Sequence, residues 1–337
     1  MTKLSRTHTS ACTIAATFLA AGPAVGHHAP IAFDRGATVE ISGTVARYDW
    51  KNPHVYIFVE GTDGSGQSGE WLVEADPTPL MARSGWSAST LAPGDAVSLR
   101  MFPDRDATKR HGLLVSLTTT DGVTLGMRTG SPETGDATND ISGIWDGLPN
   151  FGPPLIDQDV DPPRIYTEAA LRARSEYTDA LYPAAACLAI PVPMLNQIPY
   201  LYEIEILGDR VLIRSEFYEV ERVVYMDGRD HPADGERTIQ GHSIGRWEGG
   251  TLVVDTRLFA DFRVAHGPGI PSGAQKHAVE RFSLSEDGAA LTIETFVEDP
   301  EFVTEPYTVS TTWVYAPDRS LDPFECETEN ASYFILK

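Results

Sequence analysis

The chain of 337 residues has only three cysteines, and it sets 26 Lys and Arg against 48 Asp and Glu. Each shortage excludes something. No CxxC pair and no HExxH helix occurs, so structural-zinc and zincin patterns are absent. There is no Gly-rich phosphate loop and no Rossmann fingerprint, which argues against nucleotide and flavin chemistry. The deficit of basic residues argues against nucleic acid, because that affinity comes largely from cationic contacts to phosphate. After the first 26 residues no apolar run approaches the roughly 20 needed to span a bilayer. No membrane insertion is expected once that stretch is removed.

The stretch itself, "MTKLSRTHTSACTIAATFLAAGPAVG" (1–26), carries Lys3 and Arg6, an apolar run from Ala11 to Ala21, and the small residues Ala24, Val25 and Gly26. That is the pattern of a secretory signal peptide with an A-x-G cleavage site. The expected location is periplasmic or secreted. Cleavage removes Lys3 and Arg6 and moves the formal net charge from −22 to −24. Cys12 leaves as well, and Cys187 with Cys326 most economically forms one disulfide in an oxidising compartment. A free buried thiol or a thiolate ligand is the alternative.

A polar stretch rich in Gly, Ser, Thr and Asp, "RTGSPETGDATND" (128–140), reads as a linker between a domain at 27–127 and another at 141–337. In the first, "TVEISGTVARY", "HVYIFVEG" and "GEWLVEA" have strand length and pattern. A short helix at "TPLMARSG" follows, then "DAVSLRM" and "GLLVSLTT". This is the order of a small OB-like five-stranded barrel. The second domain has one clear helix, "TEAALRARSEYTDAL" (167–181), and then eight strand-like segments at hairpin spacing. The expectation is a mainly β protein with one or two helices, whose larger domain is an antiparallel, lipocalin-like β-barrel. Such a barrel either fills itself with side chains or holds one small ligand.

The segments "HHAPIAFD", "ISGTVARYDWKNPHVYIFVE" and "LAPGDAVSLRMFPDRD" resemble a widespread bacterial family of exported proteins known only as a domain of unknown function. From "VVYMDGRDHP" through "GHSIGRWEGGTLVVDT" to "FECETEN", the second domain resembles another uncharacterised exported domain. That domain usually has Asp where this chain has Gly250. The resemblance implies an exported β-rich protein and brings no catalytic residues.

The second of these motifs contains Gly-x-Ser-x-Gly at residues 241–245, the string of an α/β-hydrolase nucleophile elbow around Ser243. An elbow must open a helix after a parallel strand, yet the chain continues as a strand into Gly249-Gly250. A hairpin fits better. Period two then puts His242, Ile244 and Arg246 on one face and Ser243, Gly245 and Trp247 on the other. His231, His242, Asp255, His277 and Glu280 are candidate acid–base residues, and Tyr225, Arg229, Arg246 and Trp247 are candidate substrate contacts. The plainer reading of the same charges is structural salt bridges. At the other end, His27 and His28 with His54 of "KNPH" offer the nitrogen set of a Cu(II) site.

Three function classes follow. One is a cofactor-free acid–base enzyme of lyase, isomerase, hydratase or hydrolase type, acting on a small apolar or aromatic molecule in the second domain. The others are a periplasmic copper-binding protein and a non-catalytic ligand-binding or scaffold module.

Overall fold

The computed structural model of the chain describes residues 33–127, 137–147, 166–178, 181, 183–267 and 269–331. The expected signal peptide, His27 and His28, and most of the expected linker lie outside them.

The first unit comprises β1 (Val39–Asp49), β2 (Tyr56–Asp63), β3 (Ser68–Glu74), α1 (Thr78–Arg83), β4 (Ala96–Pro103), β5 (His111–Thr119) and a short β6 (Thr124–Gly126). Alternation builds it. On β1, Ile41 and Val45 are buried while Glu40 and Ser42 are exposed, and on β4 Val97, Leu99 and Met101 go in with them. The strands follow the order β3-β2-β1-β4-β5, and β5 returns to pair with β3, closing the expected five-stranded barrel. Only that closing pair is parallel, with Leu72 opposite His111 and Glu74 opposite Leu113. Residues 64–67 make the turn from β2 to β3.

The second unit comprises β7 (Gly143–Gly147), α2 (Glu168–Ser175), β8 (Leu201–Ile206), β9 (Arg210–Ser215), β10 (Val220–Tyr225), β11 (His242–Glu248), β12 (Thr251–Arg257), β13 (His277–Leu284), β14 (Ala290–Glu298), β15 (Tyr307–Tyr315) and a single turn, α3 (Thr328–Ala331). The strands close in the order β10-β11-β12-β13-β14-β15-β7-β8-β9. All eight expected strand segments are present, but β7 joins between β15 and β8, so the barrel has nine strands.

An odd ring cannot alternate direction all the way round. One pair must be parallel, and it is β10 with β11, joined through only Val224–Ser243 and Tyr225–Ile244. The purely antiparallel barrel read from hairpin spacing is corrected on this point. The expected helix at 167–181 is also shorter, eight residues capped by Thr167, whose hydroxyl accepts from Ala170 N.

The second barrel fills itself. Trp145, Tyr202, Phe282 and Trp313 occupy the core with Leu252, Val254 and Ile293, and the Tyr202 and Trp313 rings stack at 3.9 Å. The turn Met194–Gln197 plugs one end: Trp313 Nε1 donates to Asn196 O (2.8 Å) and Tyr202 Oη to Ile198 O (2.9 Å). Between plug and core lies a buried polar layer. Arg222 Nη1 donates to Glu280 Oε1 (2.9 Å), its Nη2 pairs with Glu280 Oε2, and Asn196 Nδ2 donates to the same carboxylate (2.6 Å).

The first barrel contacts the second unit through several side chains, beside the Cys187–Cys326 disulfide (Cα–Cα 5.8 Å), which lies within the second unit. The disulfide anchors the C-terminal segment, which Asn52 of the first barrel reaches by donating to Phe324 O. Arg83 Nη1 at the end of α1 donates to both carboxylate oxygens of the buried Glu216 (2.9 and 3.0 Å). Leu80 packs with Tyr200 and Phe324 beside it.

Candidate functional site

Strand parity sorts the predicted residues. On β12, Leu252, Val254 and Thr256 enter the core, so Asp255 points outward. On β13, Ala278, Glu280 and Phe282 point in and His277 points out. On β11, Ser243 points in and His242 points out.

The outward set forms one hydrogen-bonded chain. Asp255 Oδ1 lies 3.0 Å from His231 Nε2 and 3.0 Å from His277 Nε2. His231 Nδ1 lies 2.9 Å from His242 Nδ1, and His277 Nδ1 lies 3.1 Å from Glu298 Oε1. His231 belongs to no strand. It is delivered by the long connection from β10 to β11, which a parallel junction requires where an antiparallel one would need only a tight turn. Tyr225, the last residue of β10, stacks on His242 (5.2 Å, 25°), and the Arg229 guanidinium lies over the tyrosine ring at 3.8 Å. Asp227 holds Arg229 through Nε (2.8 and 3.0 Å).

The charges follow from these contacts. Burial pushes the Asp255 carboxyl up, but the hydrogen bonds and charge of His277 and the bond from His231 outweigh it and leave it below the usual range. The hydrogen bond to Asp255 raises His277 against the cost of its own burial, with Glu298 assisting. His242 moves the other way, lowered first by burial and then by the cost of charging it beside a second imidazole and Arg229. A neutral His242 therefore stands at one end of the chain.

The hydrogen bonds also fix its tautomer. With His231 Nε2–H donated to Asp255, the neutral pair places the shared proton on His242 Nδ1, donated to His231 Nδ1. His242 Nε2 is then the basic nitrogen.

His242 borders a cavity of about 210 Å³ where the two-residue parallel ladder gives out and β10 and β11 part; Arg222, Tyr225, Gln240 and Ser243 share its lining. A hollow of about 290 Å³ lies elsewhere, among Asp261, Arg263, Ser272 and Glu301, and carries no histidine.

Sequence reasoning thus named His231, His242, Asp255, His277, Tyr225 and Arg229, and the fold brings these six together. It does so on the outer face of the barrel, beside a break in its wall, and not in a central pocket. Glu280 is separated from them: fully buried on the inner face, it serves Arg222 and Asn196. Arg246 and Trp247 are exposed near the β11–β12 hairpin, where Arg246 pairs with Glu248 (2.6 Å). Ser243 is buried mid-strand with its hydroxyl 2.9 Å from Thr256 Oγ1, so no nucleophile elbow forms.

Arg222 and Gln240 were missed. Arg222 was legible, since "VERVVY" places it in phase with Val220 and Val224, both buried. Gln240, in an irregular connection, carries no such signal.

On the first barrel, Glu74, Asp104 and His111 form a second polar group, at the parallel junction of β3 and β5. His111 Nδ1 lies 3.1 Å from Asp104 Oδ2, and its Nε2 lies 3.6 Å from Glu74 Oε2. The Phe33 ring meets its face edge-on at 5.0 Å. Burial opposes charge on His111, but the hydrogen bond to Asp104 and the nearby Glu74 carboxylate overcome it and hold its pKa up to about 9. His54 joins from the other side, its Nδ1 3.2 Å from both Ala75 O and Glu74 Oε1. Its expected copper-binding partners, His27 and His28, lie outside the described residues. Among the described residues no group of three or more His, Cys, Asp or Glu side chains is arranged to hold a metal ion.

Residues 16–114 match the model of a family of unknown function (DUF6152). The matched span includes all four residues of this first-barrel group and ends within β5. No curated protein matches the chain.

Proposed function

We propose that the protein is an exported, cofactor-free acid–base enzyme that acts on a small, largely apolar or aromatic molecule at the junction of β10 and β11. The observation that carries this reading is the chain Asp255–His231–His242 ending at a cavity. A proton taken from substrate at His242 Nε2 lets the Nδ1 proton pass to His231, where Asp255 stabilises the imidazolium. Such positioned proton transfer contributes typically 10²–10⁴-fold to a rate. The Tyr225 ring supplies an apolar wall. The cleavable N-terminal pattern and the Cys187–Cys326 disulfide support export, since disulfides persist in oxidising compartments.

The test is incubation of the full chain in D₂O with small aromatic ketones, alcohols, esters and alkenes, following conversion and deuterium uptake by NMR. A compound turned over by wild type and about 10²–10⁴-fold more slowly by His242→Gln supports the reading. Its rate rises with pH as His242 loses its proton and levels off below about 6.5, the ordinary imidazole value. Equal rates in the two proteins, or no turnover of any compound, overturn it.

A further inference from the structure

His54 of the first barrel is held as a metal-ligating imidazole is held. Its Nδ1 lies 3.2 Å from Ala75 O and 3.2 Å from Glu74 Oε1, and both of those atoms are acceptors. In the neutral ring Nδ1 therefore carries the proton, and Nε2 carries the lone pair. Nε2 makes no hydrogen bond to the described residues and is not buried among them, and the side chain is 32% exposed. A histidine that binds a metal almost always donates its other N–H to a carboxylate or a backbone carbonyl, which fixes the ring and makes the free nitrogen more basic. His54 has both acceptors. Its backbone is held too, with Asn330 Nδ2 donating to His54 O (2.8 Å).

The N-terminal segment is moored beside the same group. Phe33 forms an antiparallel bridge with Asp104, and Asp34 N donates to Pro103 O (2.8 Å). The Phe33 ring meets His111, whose neighbour Glu74 is also the neighbour of His54. Cleavage after Gly26 makes His27 the first residue and leaves His28 five positions before Phe33. Five residues of extended chain reach up to roughly 17 Å, a length that matches the short run of contacts from Phe33 through His111 and Glu74 to His54. A terminal amine and two imidazoles are thus tethered within reach of a third imidazole. Tethering makes the last bond to a shared ion intramolecular, with an effective concentration of about millimolar.

We propose that the processed chain binds one Cu(II) ion through the terminal amine, the imidazoles of His27 and His28, and His54 Nε2, with Glu74 as the carboxylate behind His54. Four nitrogen donors suit the tetragonal preference of Cu(II), and copper stands highest among the divalent first-row ions for such a set. Soft thiolate ligands, which would favour other ions, are absent from it: Cys187 and Cys326 are bonded to each other. The excess of acidic over basic residues, 48 against 26, attracts cations to the chain as a whole. The site is on the first barrel and the acid–base residues are on the second, so neither reading rests on the other.

The test uses the exported, processed protein with Cu(II) sulfate as the probe. Mass spectrometry is expected to find His27 as the first residue, and any other first residue overturns the proposal. Titration in competition with a chromophoric chelator is expected to give one Cu(II) per chain, and electron paramagnetic resonance to show four nitrogens on the metal. His54→Ala weakens Cu(II) binding at least about 10-fold and removes one nitrogen from the hyperfine pattern. A chain with one Gly added ahead of His27 displaces the amine and loses affinity by a similar factor, with the fold untouched. Zn(II) binds wild type at least about 10-fold more weakly than Cu(II). If His54→Ala fails to fold by circular dichroism, His54→Gln, which keeps an N–H for Ala75 O, takes its place. Unchanged affinity and spectrum in the folded His54 variant would mean that the terminus chelates copper alone and would overturn the proposal. So would the absence of Cu(II) binding, or equal affinity for Zn(II).

Discussion

The two barrels solve the same closure problem with opposite results. Each has an odd number of strands, each therefore has one parallel pair, and at each pair a histidine meets acidic and aromatic neighbours. In the first barrel, β3 and β5 hold three register pairs, and His111 is clamped between Glu74 and Asp104 with its proton held to about pH 9. In the second, two register pairs leave a cavity, and burial, with Arg229 nearby, disfavours charge on His242. A parallel junction does not by itself make a site. What differs is whether carboxylates touch the histidine directly or act through a second imidazole, with room left beside the first.

The comparison can be broken most severely at Glu280, whose carboxylate pairs with Arg222 inside the second barrel. Glu280→Leu strands a buried guanidinium and is expected to cost about 3–5 kcal/mol in urea denaturation. The double variant Arg222→Met/Glu280→Leu recovers most of that, because the pair's desolvation is removed with it. If Glu280→Leu is neutral, the Arg222–Glu280 pair does not hold the buried polar layer together.

A smaller effect is expected at the first junction. Glu74→Gln leaves His111 with Asp104 as its ionic partner and costs about 1–3 kcal/mol at pH 6. The sign with pH is determined. His111 has a folded pKa raised from 6.5 to about 9, so its contribution is complete below pH 6.5 and is lost as pH rises through about 9. Denaturation of wild type and Glu74→Gln should therefore converge between those limits; a constant difference up to pH 10 would show that His111 is not the linked group.

The smallest expected stability change sharpens the contrast. His242→Gln stays within about 0.5 kcal/mol of wild type, as for a side chain outside the packed core. In wild type, ¹H–¹³C NMR titration of the ring carbons is expected to place His242 below 6.5 and His111 near 9. Finding both on the same side of 6.5 ends the distinction between the two junctions.

Most of the fold could be read from the chain because its strands alternate strictly and its turns are rich in Gly and Asp. The eight segments from "YEIEILG" to "YTVSTTWVYAP" all form strands. "GIWDG" is too short, and too rich in glycine, to declare itself the ninth, and with it went the odd count and the parallel pair. The orientation of the side chains is harder to read. Period two puts His242 and Ser243 on opposite faces, but nothing local says which face is inner. Read in phase with their apolar neighbours, Arg222 among Val220 and Val224, and Glu280 between Ala278 and Phe282, show which ions go inside. His231 comes from an irregular connection and could be nominated only by its residue type.

The odd count carries a consequence for inheritance and for engineering. A point substitution can change any side chain of the wall, but none changes whether nine is even, so the gap between β10 and β11 belongs to the connectivity and not to any residue that lines it. Relatives with the same connectivity can exchange every lining residue, and with it the molecule they accept, while the entrance stays where it is.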